Sequence, residues 1–195
     1  MTGAIAQAIL LVDGYNIIGA WASLVELRDN RGFDAARESL VLSLANYSAF
    51  KGFETWVVFD AYEQRTPASQ EPITHHLSVH YTGFGQTADS YIERACAKFR
   101  SDARKFTQRL IVATSDQVHR QTVVGYGAEG MSASQLESEV LSAHKRAKRR
   151  QKPARRSSGR VFANLNPDVQ AKLARLRLGQ AENSQSKNPR SENSQ

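Results

Sequence analysis

A single cysteine, Cys96, stands in 195 residues, so no internal disulfide can form, and the surrounding YIERACAKF lacks the ligand spacing of a zinc site. Long apolar runs are also missing. Nothing approaches the roughly 18 consecutive apolar residues of a membrane span, and the first strand-like run begins at Ala8, which leaves no room for a leader. The expectation is a soluble protein working in a reducing cytoplasm, with no membrane partner. A second acid two residues after Asp13 is absent too, because Tyr15 stands there. Phosphatases with an aspartyl nucleophile typically carry that second acid, so covalent catalysis is excluded.

What is present is enough apolar material, 41% of residues, for one well-buried domain with a tail. Charge is distributed unevenly. Residues 1–144 hold 12 Lys/Arg against 16 Asp/Glu, whereas residues 145–195 hold 14 against 3. A block so dense in cations draws polyphosphates through counterion release, which makes nucleic acid the expected partner. The reading is therefore a domain over 1–144 and a basic, largely flexible extension over 145–195. Within the extension, Asn166 and Pro167 open a short amphipathic helix near 166–178.

Short β-branched runs alternate with segments of helical period, the signature of an α/β fold with a mainly parallel sheet of four or five strands. The strands read are 8–13, 55–60, 77–81 and 109–114. Between the first two, Ala36, Leu40, Leu44 and Tyr47 mark a helix capped at Asp34 and ending near Gly52. Thr87 caps a second helix carrying Ala88, Ile92, Ala95, Cys96 and Phe99. Ser115 and Asp116 open DQVHRQTVV, and SASQLESEVLSAHKRAKRR opens a last helix whose final turns are wholly basic.

Asp13, Asp60 and Asp116 fall at or just beyond the C-terminal ends of strands, and Asp89 lies in the first turn of a helix. In a parallel sheet these places converge on one rim, where ligands of open α/β folds bind. Crowded carboxylates repel one another unless a hard cation such as Mg²⁺ or Mn²⁺ shares them. Such an ion acidifies a water and holds a phosphodiester oxygen, so hydrolysis needs no serine, cysteine or histidine nucleophile. Taken singly, Asp89 and Asp116 read equally as helix caps, and Asn16 as the cap of a turn. Glu93, one turn after Asp89, is either an outer-shell carboxylate or a surface ion-pair partner.

LLVDGYNIIGAW, WVVFDAY, TADSYIERA and IVATSD, in this order and spacing, resemble the NYN branch of the PIN-like metal-dependent ribonucleases, most closely the bacterial YacP-type proteins. The resemblance covers about residues 9–141. It implies a PIN-like three-layer sandwich and a metal-dependent endoribonuclease acting on mRNA at the ribosome. On this likeness Asp13, Asn16, Asp60, Asp89 and Asp116 are the catalytic set. Asp13, Asp89 and Asp116 bind Mg²⁺ or Mn²⁺, Asp60 supports them, and Asn16 positions the scissile phosphate.

Tyr15, Trp21, Tyr62 and Phe84 lie beside the proposed rim, where they either stack unpaired bases or finish a core. Lys and Arg are scarce near the acids, which leaves RNA attraction to Lys145, Arg146, Lys148, Arg149, Arg150 and the residues beyond. The alternative function is a non-catalytic RNA- or ribosome-binding protein with a vestigial acidic rim. GYGAEG satisfies a dinucleotide-binding pattern letter by letter, but it follows a helix and no ribose-binding acid comes after it, so it reads as a turn. His75, His76 and His80 fall in HHLSVHY, which alternates like a strand and places His76 and His80 on one face with Ser78, and they are discounted as a zinc site.

Overall fold

The computed structural model describes residues 7–60 and 67–150, with the side chain of residue 150 excepted. Tyr62 and the expected helix near 166–178 lie outside the described residues. No helix among the described residues is long and apolar enough to cross a membrane.

Six strands form one sheet: β1 (Ala8–Asp13), β2 (Glu54–Phe59), β3 (Ser69–Thr74), β4 (Leu77–Tyr81), β5 (Arg109–Thr114) and β6 (Glu129–Ser132). Their order is β3-β4-β2-β1-β5-β6. All neighbours run parallel except β3, which pairs antiparallel with β4. The four expected strands are present with bounds shifted by one residue at most. The count of four or five becomes six, because the two outermost strands are polar. Ser69–Thr74 is mostly exposed and contains Pro72, a residue confined to sheet edges because it has no N–H to donate. Glu129–Ser132 begins within GYGAEG, which reads as a turn; the turn itself is confined to Tyr126 and Gly127, the latter with φ of 91°, and the chain then pairs with β5.

Between β1 and β2 the expected single helix is the last of three, α1 (Gly14–Ala20), α2 (Ala22–Arg31) and α3 (Phe33–Lys51). The cap of α3 is Gly32, not Asp34; Asp34 sits in the first turn, bonded to Arg37. Gly52 ends α3 in the left-handed conformation, as the sequence suggests. The remaining helices are α4 (Ala88–Arg100), α5 (Gln117–Gly125) and α6 (Ala133–Arg150), with a 3₁₀ turn at Ala103–Phe106.

β1 is buried along its whole length because helices cover both faces of the sheet. On one face Leu10, Val12, Val57 and Ile111 pack with Leu40 and Leu44 of α3 and with Leu136 of α6. On the other, Ile9, Leu11, Val58 and Val112 meet Ile92 and Cys96 of α4 and Val123 of α5. This is the expected three-layer sandwich. Burial of each large aliphatic contributes about 1.5–3 kcal/mol, so both faces hold the central strands fixed.

Gly14 joins β1 directly to α1 beneath the Phe59 ring. A Cβ built there would lie 2.8 Å from Phe59 Cζ and nearer still to two other ring atoms. Phe59 is fully buried and meets Tyr15 edge-on, so its ring cannot swing away. Gly14→Ala is expected to lower stability by about 1–3 kcal/mol through overpacking, read as an earlier midpoint in urea denaturation.

Candidate active site

The central strands β2, β1 and β5 deliver Asp60, Asp13 and Asp116 to one rim of the sheet. Asp13 is the last residue of β1 and the N-cap of α1. Its Oδ1 accepts the Asn16 backbone N–H at 3.2 Å, and its Oδ2 accepts from Asn16 Nδ2 at 2.6 Å. Asn16 Oδ1 in turn accepts from the Ser115 hydroxyl at 2.7 Å. The Asn16 amide is thus engaged at both ends and ties the β1 turn to the β5 turn. These bonds hold the Asp13 carboxylate in place.

Asp13 is 3% exposed. Burial lifts its carboxyl to about 6, against the pull of the two Asn16 bonds, and the nearby Asp89 charge adds to the rise. Asp60, just past β2, accepts the Ala88 backbone N–H. This bond anchors the start of α4, together with Thr87, whose hydroxyl accepts the Ser90 N–H at 3.2 Å. Burial raises the Asp60 carboxyl above its usual range, and Asp89 contributes to that rise as well. The Asp89 charge therefore acts on both Asp13 and Asp60, neither of which is paired to Lys or Arg among the described residues.

A histidine is also present at this rim. His119, in the first turn of α5, is 4% exposed, and its Nδ1 lies 2.9 Å from Asp89 Oδ1. That contact is badly aligned for a hydrogen bond, and neither ring nitrogen has a hydrogen-bond partner. Asp13, Asp89 and His119 each place one ligand atom within 4.8 Å of the others, a group able to hold a metal ion. His80, also buried, is the opposite case. Its two ring nitrogens meet Ser78 and Tyr91 at 2.8 Å, so it has no lone pair to spare, in keeping with discounting zinc at His75, His76 and His80.

Of the expected metal set of Asp13, Asp89 and Asp116, the structure brings the first two together, with His119 as the third member of the group. Asp116 is exposed and turned to cap α5, where its Oδ1 accepts from Val118 N at 2.7 Å and His119 N at 3.0 Å. Those N–H groups hold its carboxyl below the usual range. Asp116 therefore fixes the turn that carries His119 and stays outside the ligand group. Glu93, half-buried on α4, is likewise outside it.

Of the aromatic candidates, Trp21 is a core residue. It is 4% exposed and donates its indole N–H to Ala133 O at 2.9 Å, which leaves no face for a base. Tyr15 is half-buried, wedged edge-on between Phe33 and Phe59, and its hydroxyl accepts from Arg37. Phe84, in the loop leading to α4, is 65% exposed.

Lys145, Arg146, Lys148 and Arg149 are on the last turns of α6, and Arg150 ends that helix, which crosses the boundary expected at 144. They do not lie near the acids. α6 starts at the rim, where β6 ends, and Glu139 already meets Lys51 and Tyr47 near the opposite sheet edge. At about 1.5 Å per residue, Lys145 to Arg149 stand about 18–24 Å along α6 from its start at the rim.

The likeness to known proteins covers both the site and the chain around it. The uncharacterized protein YacP of Bacillus subtilis (strain 168) is 37% identical over 142 residues, 73% of this chain and 80% of that protein. The crystal structure of a tryptophan-to-leucine mutant of Rae1 (YacP) from Bacillus subtilis superposes with a TM-score of 0.61 at 31% identity, covering 86% of this chain and 91% of that one. A second Rae1 (YacP) crystal structure gives 0.58 at 34% identity, covering 73% and 78%. The family model of the YacP-like NYN domain matches residues 10–178, which takes in the first part of the basic extension. The chain belongs to the YacP-like NYN domain family.

Proposed function

We propose that this protein is a divalent-metal-dependent endoribonuclease whose centre is Asp13, Asp89 and His119. The observation that carries the reading is a buried imidazole with no hydrogen-bond partner, facing two carboxylates at the C-terminal rim of a parallel sheet. Charge crowding and orphaned nitrogens both cost stability in the protein alone, and a shared cation relieves both. The donor set of oxygens and one imidazole fits Mn²⁺ or Mg²⁺. Bound there, the ion would supply an acidified water and polarise a phosphoryl oxygen.

The surrounding residues fix this centre. Asn16 holds Asp13 by two bonds, Asp60 holds the start of α4 and hence Asp89, and Asp116 holds the first turn of α5 and hence His119. The Asp13 carboxyl, lifted to about 6 by burial, is ionised and able to ligate above that pH. RNA as substrate accords with the NYN family and with the cationic block from Lys145 onward. The cytoplasmic ribosome and its mRNA are the partners suggested by the family resemblance. The distance between the basic turns and the acids suits a bound particle larger than the cleaved segment.

The test is cleavage of end-labelled mRNA, free and on programmed ribosomes, with Mn²⁺, Mg²⁺ or EDTA. Asp89→Asn is expected to slow metal-dependent cutting roughly a hundredfold or more, since it removes a ligand from the reacting centre. A native chain that binds the RNA and never cuts it would return the protein to the non-catalytic RNA-binding reading.

A further inference from the structure

α4 starts at the acidic rim with Asp89 and descends toward the opposite sheet edge. Arg94 and Lys98 follow on it at i and i+4, both exposed and on the same side. At about 1.5 Å per residue they stand roughly 7 and 13 Å along the axis from Asp89. That side of α4, the lower half of β1, Trp56 of β2 and the 3₁₀ turn enclose a groove of about 240 Å³.

Its walls combine two chemistries. Trp56, Tyr91 and Phe99 are half-buried along it; Arg94 and Lys98 supply exposed cations, with Arg104 nearby. Asp102, the acid among the lining residues, is already paired with Arg104 at 2.9 Å. Trp56 is held rigid, stacked on His80 at 4.9 Å between centroids with its N–H given to Glu54. This concentration of cations stands out in residues 1–144, where acids outnumber bases by 16 to 12. Aromatic faces beside cations suit a base and its phosphates, while a groove this narrow rejects a duplex.

We propose that this groove is a binding track for single-stranded RNA, leading from the acidic centre along α4 toward the far edge of the sheet. The proposal rests on the nuclease reading but is tested by binding. A fluorescein-labelled oligouridine is titrated in EDTA, so that nothing is cut. Arg94→Glu with Lys98→Glu is expected to weaken binding roughly tenfold or more and to flatten the log–log salt dependence by about 1.4, two phosphate contacts at about 0.7 each. Arg28→Glu with Arg31→Glu on α2 makes the same charge change elsewhere and is expected to have little effect. Unlabelled oligouridine should quench tryptophan emission in the native chain, and Trp56→Phe should abolish that response because Trp21 is buried.

Undiminished affinity in the α4 pair, an equal loss in the α2 pair, or native emission blind to RNA each overturns the proposal. A chain that cuts RNA yet fails these tests loses the groove alone. One that passes them and never cuts loses the nuclease reading alone.

Discussion

Asp13→Asn is expected to make the metal-free protein more stable at pH 7.5 and to abolish its stabilisation by divalent ions. In the unfolded chain Asp13 gives up its proton near the ordinary value of 3.8, but in the folded chain only near 6. Between these values the folded state binds more protons, so stability falls as pH rises through this window and stays reduced above it. About two pH units at about 1.4 kcal/mol each set an upper bound near 3 kcal/mol for that cost.

The new amide removes the charge but turns an N–H₂ toward Asn16 Nδ2, which costs about 1 kcal/mol. A net gain of about 1–2 kcal/mol remains, worth about 2–4 °C in Tm per kcal/mol for a chain of this size. At pH 4 the gain should vanish, because the native carboxyl is then protonated in the folded state. With Mn²⁺ at about 100 times its Kd, the native chain gains about 2.7 kcal/mol and the variant nothing. Thermal denaturation at the two pH values, with and without metal, checks each step. A variant less stable than native at pH 7.5 without metal would show that Asp13 serves the fold rather than a ligand.

His119→Ala should distinguish the two metals. Mg²⁺ favours oxygen ligands and keeps its waters, whereas Mn²⁺ accepts imidazole more readily. Loss of the ring is expected to reduce Mn²⁺ affinity at least about tenfold and Mg²⁺ affinity less, so the preference for Mn²⁺ narrows. His119→Gln, which keeps most of the volume, separates this from the cavity that alanine leaves. Calorimetric titration of both ions into both variants gives the answer. Equal affinities in the native chain and the His119→Gln variant, with only lower stability, would make His119 a packing residue.

The residues that the sequence reveals and those it hides differ in physical kind. β1 and β5 are apolar because both faces are covered, so 8–13 and 109–114 are legible to the residue; the apolar end of β2 places 54–59 to within one, and LSVHY is legible through its alternation, with Leu77 and Val79 buried. The carboxylates at their ends serve no packing need and are legible for that reason. The edge strands carry no such pattern, since Ser69–Thr74 is mostly exposed and Glu129–Ser132 contains a glycine. α1 and α2 escape notice because Asp13 caps a helix while also ending a strand, with no connecting residues to mark the change.

His119 is hidden from a reading that attends to acids alone, although the sequence holds a signal. It stands three residues after the cap Asp116 and four before the buried Val123, on the inner face of a helix whose start lies at the rim. Trp21 shows the converse error. Its place beside the DGYN turn suggests a base-stacking role, but the intervening α1 carries it under α6, where Ala133 accepts its N–H.

The most direct test of the centre is anomalous scattering from crystals soaked in Mn²⁺. The account expects one strong peak among Asp13, Asp89 and His119, with Mn–O and Mn–N distances of roughly 2.0–2.4 Å. A saturated crystal with no peak there, or with its peak on other residues, would contradict it.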